Sequence, residues 1–185
     1  KWAFGASELI QVDGATAIEV FNGHAGSNSH GGKTRPSPEQ IWDGILSAGK
    51  LIYAVATDDS HHYHDFTPKM ANPGIGWICV PAESLSESSI MDSIKNGDFY
   101  ASTGVYLAEL EKSDKAINIS ISTDEDDPLN LPEYVTTITG YEGTILHETV
   151  SLNVNYELPE NVPYARATVK SSEGFKAWTQ PIWRQ

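Results

Sequence analysis

The segment Thr57-Asp58-Asp59-Ser60-His61-His62-Tyr63-His64 puts two carboxylates and three imidazoles within a few residues. It follows Leu51-Ile52-Tyr53-Ala54-Val55-Ala56, an apolar run long enough for one buried strand. Carboxylates and imidazoles at the C-terminal mouth of a parallel strand are where α/β proteins keep metal ions and catalytic groups. An Asp-x-His step on extended backbone lets a carboxylate oxygen and a ring nitrogen, two residues apart, point the same way. Such a pair suits a divalent ion such as Zn²⁺ or Mn²⁺. The plainer alternative is a polar loop with exposed histidines. The density of titratable groups directly after a strand weighs against it.

The elements around this segment differ between the two halves of the chain. Ala17-Ile18-Glu19-Val20-Phe21 reads as a short strand, followed by a loop from Asn22-Gly23-His24 to Arg35. Ser37 is placed to cap a helix, with Pro38 at its first position and Gln40 three residues after the cap. Ile41, Trp42, Ile45 and Leu46 give that helix one apolar face, and Gly49 ends it. After the Asp/His segment comes a turn at Asn72-Pro73-Gly74, then a strand from Gly76 to Val80. Ser86-Glu87-Ser88-Ser89 caps a second helix with Ile90, Met91 and Ile94 on one side, closed by Gly97. Alternating strands and helices with short connections predict parallel βα units.

After Gly104 the helical period disappears. Ala116-Ile117-Asn118-Ile119-Ser120-Ile121-Ser122 alternates strictly, and further strand-like runs cover 134–139, 150–156, 164–169 and 177–183. Turn signals between them predict an antiparallel β-sandwich. The acidic run Asp124-Glu125-Asp126-Asp127 lacks the glycine and distal glutamate of a calcium loop and reads as a solvated turn.

The chain of 185 residues carries a net charge of −13, with no Lys/Arg cluster, so nucleic-acid binding has no electrostatic footing. No apolar run approaches the roughly 18–20 residues of a membrane span. Cys79, the one cysteine, lies in Trp77-Ile78-Cys79-Val80 and is expected to be a small buried hydrophobe. The opening Lys1-Trp2-Ala3 lacks a methionine and reads as a mature product or an excised piece, with localisation left open.

Four stretches together resemble the later part of a PHP-domain protein, of the polymerase and histidinol phosphatase superfamily of metal-dependent phosphoesterases. They are Ala17 to His24, Tyr53 to His62, Pro73-Gly74-Ile75-Gly76-Trp77, and Asn96-Gly97-Asp98-Phe99-Tyr100-Ala101-Ser102-Thr103-Gly104. The resemblance implies that residues 1–108 form the second half of a distorted PHP-type βα barrel and residues 109–185 a small antiparallel β-sandwich. It assigns Asp59 and His61 to the family's late Asp-x-His metal motif. Glu19 and Asn22 are implied to line the pocket, with His24, His62 and His64 as pocket or outer contacts. The parent would use divalent ions (Zn, Mn or Fe) to hydrolyse a small phosphorylated substrate with metal-activated water. The family's early His-x-His is not found before residue 24. The resemblance therefore implies a fragment that lacks the N-terminal half of the barrel as its partner, inactive alone and without a metal cluster of its own. Two other readings stand beside it. One is a glycan- or protein-binding module using Trp178, Trp183, Tyr134 or Tyr141; the other is a degenerate PHP-like structural domain.

Overall fold

The computed structural model describes residues 4–67, 70–123 and 132–184. They fall into two compact units, 1–103 and 104–185. The first contains α1 (Ala6–Ile10), β1 (Ala17–Asn22), α2 (Pro38–Ser47), β2 (Tyr53–Thr57), β3 (Trp77–Cys79), α3 (Glu87–Asn96) and β4 (Tyr100–Ser102). α2 starts where its sequence caps it. Ser37 Oγ accepts from Gln40 N at 3.1 Å, and Gln40 Oε1 accepts from Ser37 N at 2.9 Å. This reciprocal pair satisfies two backbone donors at the start of the helix. The helix lies against β1 and buries Trp42, Ile45 and Leu46 with Val20, Ile52 and Ala54. Full burial of side chains this large stabilises by about 1.5–3 kcal/mol each. The Trp42 indole N–H also donates to the Ile52 carbonyl at 2.8 Å, pinning the helix to the lead-in of β2.

The expected half-barrel is not what forms. β1 and β2 are parallel, joined through α2, but β3 and β4 pair antiparallel around α3. Twelve strands against three α-helices make the described residues mostly β, and no closed barrel exists among them. The assignment of residues 1–108 to a PHP-type βα barrel is therefore overturned. The reason lies in α3. A crossover helix makes its flanking strands parallel by packing its apolar side along the sheet. α3 buries no residue fully, and Met91 on its apolar side is 41% exposed. It acts as an insertion in a β-hairpin, and strand–helix–strand periodicity carries no sign of strand direction.

The second unit is antiparallel throughout. Its strands are β5 (Leu107–Lys112), β6 (Ala116–Ile121), β7 (Tyr134–Thr139), β8 (Ile145–Val150), β9 (Asn153–Glu157), β10 (Tyr164–Ser171), β11 (Lys176–Thr179) and β12 (Ile182–Trp183). One sheet has the order β5-β6-β9, and β8, β7, β10 and β11 are neighbours in another, with β12 also on β10. Ile117, Ile119 and Ile121 bury one face of β6, as their alternation requires. Trp178 is buried and Trp183 stacks on Tyr164 at 5.1 Å, so these aromatics serve packing. Cys79 is half-buried, not enclosed. No described helix is long and apolar enough to cross a membrane. The acidic run 124–127 lies outside the described residues.

Candidate functional site

The C-terminal ends of β1 and β2 gather five polar side chains into one chain of hydrogen bonds. In an even strand, Glu19 and Asn22 would face opposite ways, because side chains alternate. A β-bulge corrects this. Glu19 pairs with Val55 and Phe21 with Ala56, leaving Val20 as the extra residue, and Asn22 then pairs with Thr57. Glu19, Asn22 and Thr57 thus share one side of the sheet. Thr57 Oγ1 donates to Glu19 Oε1. Asn22 Nδ2 donates to Glu19 Oε2 at 3.1 Å and to Asp59 Oδ2 at 3.2 Å. The other end of the Asn22 amide is fixed as well, since Oδ1 accepts from His24 N at 2.9 Å.

The adjacent aspartates divide the work. Asp58 Oδ1 accepts from Ile75 N at 2.6 Å and Gly76 N at 2.8 Å, clamping the 73–76 turn to the end of β2. Burial pushes the Asp58 carboxyl up, but the backbone N–H groups of Gly76, Gly74 and Ile75 together hold it below its ordinary value. Gly76 allows this approach, because a Cβ there would lie 2.7 Å from the Thr57 carbonyl oxygen. Asn72, also buried, donates from Nδ2 to the carbonyls of His62 and Asp65, each at 2.9 Å. The N–H groups of His61 and His62 both reach the Ala71 carbonyl. The segment 71–76, which includes Pro73-Gly74-Ile75-Gly76 of the sequence motif, is therefore the support that sets the Asp/His loop.

Asp59 does not use extended backbone. Its φ of 47° lies in the left-handed region, where aspartate is one of the few tolerated side chains. That turn brings Asp59 Oδ1 to 3.2 Å from His61 Nε2. The Asn22 amide is the main cause holding the Asp59 carboxyl below its ordinary value; desolvation opposes it, and His61 and then His24 add to the lowering. His24 and His61 meet edge to face at 5.6 Å between ring centroids. Gly26 N donates to His24 Nδ1 at 2.9 Å, so that nitrogen carries the lone pair and the neutral ring holds its proton on Nε2. In that tautomer the Nε2 of His24 presents a proton and not a lone pair. His62 and His64 are exposed in the loop, and neither side chain hydrogen-bonds to the cluster among the described residues. Sequence reading missed Asp58 and Thr57 as members of the site. The paired Gly74 and Gly76 facing Asp58 were the signal for the first, while nothing in the sequence marks the bulge.

Asp59 and His61 fit one edge of a metal coordination shell. Two donors of a tetrahedral ion, each about 2.0–2.1 Å from it, stand about 3.3–3.4 Å apart. The observed 3.2 Å is close to that span. No third His, Cys, Asp or Glu joins them in a metal-holding group among the described residues. A metal ion held by protein side chains usually has three or four such ligands, so this pair alone is short of a full set. Compared with protein-family models, curated proteins and solved structures, the chain matches none.

Proposed function

We propose that this cluster is the chain's share of a divalent-metal centre for phosphoester hydrolysis, with the remaining ligands supplied by another polypeptide segment. The observation that carries the reading is the converging Asp59–His61 pair, preset by Asn22 at the ends of two parallel strands. A bound ion would supply a water acidic near neutral pH and offset charge on phosphoryl oxygens. Asp59 would ligate through Oδ1, leaving Oδ2 on the Asn22 amide, and that second bond fixes the carboxylate plane. His61 would offer Nε2. His24, protonated on Nε2, would donate to a substrate oxygen beside His61. Glu19, held by Thr57 and Asn22, orients the amide and needs no ligand role.

Zinc titration of the purified chain, followed through the ring-proton signals of His61, tests this. The expected result is weak, saturable binding that shifts His61, is lost in Asp59→Ala, and gives no hydrolysis of p-nitrophenyl phosphate. His61 signals indifferent to zinc would remove the metal reading. Turnover by the chain alone, abolished by Asp59→Ala, would show that it completes the centre without a second segment. The glycan-binding alternative keeps exposed Tyr141 but loses both tryptophans, since Trp178 is buried and Trp183 is stacked on Tyr164.

A further inference from the structure

Beside the cluster, the loop after β1 encloses a cleft of about 300 Å³. Glu19 and Asn22 line it from the strand, and Ser27, Asn28, Ser29 and Arg35 from the loop. The volume sits at the small end of ligand pockets and suits a molecule of a few carbons.

The loop is built, not slack. Asn28 accepts from His30 N and donates to the Gly31 carbonyl, both at 3.1 Å. Gly32 and Arg35 pair through their backbones, with Gly32 N reaching the Arg35 carbonyl at 2.9 Å. Gly31 has a φ of 70°, and a Cβ there would lie 2.6 Å from Ser37 N, so the loop is packed against the start of α2. This fixes the Arg35 backbone while its exposed guanidinium enters no ion pair among the described residues.

Charge is divided across the cleft. The Glu19 carboxylate on the strand side is already satisfied by Thr57 and Asn22. On the loop side stands Arg35, whose planar fork of donors matches a carboxylate or a phosphate. The sequence agrees with this polarity. In a chain of net charge −13, the run from Val20 to Pro38 contains no acidic residue, the longest such run it has, and carries Lys33 and Arg35. Ser27 and Asn28 add groups that can bond hydroxyls.

We infer that this cleft holds the end of a substrate remote from the bond at Asp59 and His61, and that Arg35 selects a carboxylate or phosphate there on a short hydroxylated skeleton. The inference deepens the hydrolase reading and rests on it only for where the reacting bond lies.

The test is a titration of the ¹⁵N-labelled chain, without metal, using three probes on one skeleton: glycerol 3-phosphate, glycerate and glycerol. At least one anion should saturably shift the Arg35 Nε–H and the amides of Gly26 to Ser29, while glycerol does not. Response to glycerol 3-phosphate alone assigns a phosphate end, and response to glycerate alone a carboxylate end. Arg35→Gln, at an exposed position, should keep the spectrum elsewhere and weaken anion binding about ten-fold, as loss of a charged hydrogen bond requires. Equal response to glycerol, no saturation by either anion, or unchanged affinity in Arg35→Gln would overturn the inference. Saturable anion shifts with a His61 indifferent to zinc would sink the hydrolase reading alone. A zinc response without anion shifts would sink this one alone.

Discussion

Between Glu19 and Asp59 stands a single carboxamide, and its two N–H groups let two carboxylates approach without facing each other bare. That neutral bridge favours the ionised form of Asp59. In Asn22→Asp the bridge becomes a third carboxylate, which donates nothing to Asp59 when ionised and repels it. Asp59, now held below its ordinary value chiefly by Asn22, should then titrate at higher pH. Carboxyl ¹³C shifts followed against pH read this directly, and an Asp59 that titrates unchanged would contradict the role given to Asn22. At this scale the residue types were legible and their division of labour was not. Asp58 and Asp59 look alike as neighbours, and only the glycine-rich turn folding back onto Asp58 separates a backbone clamp from the carboxylate that faces Asn22 and His61.

At the scale of elements, the clamp joins the end of β2 to the turn before β3, and its strength follows the ionisation of Asp58. A carboxyl whose folded pKa is depressed adds stability that is present above its unfolded value and lost as pH falls through the folded one. With an ordinary value of 3.8, the contribution should be complete above about pH 5, decline as pH falls past the ordinary value, and be lost only below the depressed folded one. Asp58→Ala leaves the N–H groups of Ile75 and Gly76 without their acceptor and should cost about 1–3 kcal/mol at pH 7. Urea melts of both proteins against pH check this: the gap should narrow towards pH 3, and a constant gap would mean the carboxylate's charge is irrelevant. α2 was legible down to its cap, because Ser37, Pro38 and Gln40 act locally. Three features were not. The bulge at Val20 depends on β2, the left-handed turn at Asp59 depends on the 71–76 support, and the antiparallel return of β4 depends on how little of α3 is buried. Each is a tertiary outcome that local pattern leaves undetermined.

For the whole molecule, charge decides how metal binding has to be measured. Twenty-five acidic residues against twelve basic ones create a negative field that gathers divalent cations anywhere on the surface. At low ionic strength a titration would therefore report several loose ions and hide a two-donor site among them. Salt separates the two kinds of binding. At 0.5 M NaCl the screening length is about 4 Å, so diffuse attraction is removed, while direct ligation of the proposed kind by Asp59 and His61 would persist. Ligation also competes with protons on the imidazole, whereas diffuse attraction to carboxylates has little such dependence near neutrality. The expected outcome at high salt is one weak zinc site whose affinity falls on acidification and which His61→Ala abolishes. Binding that vanishes with salt, or that survives His61→Ala unchanged, would assign the zinc to the surface field and leave the Asp59–His61 contact as a hydrogen bond between neighbouring side chains.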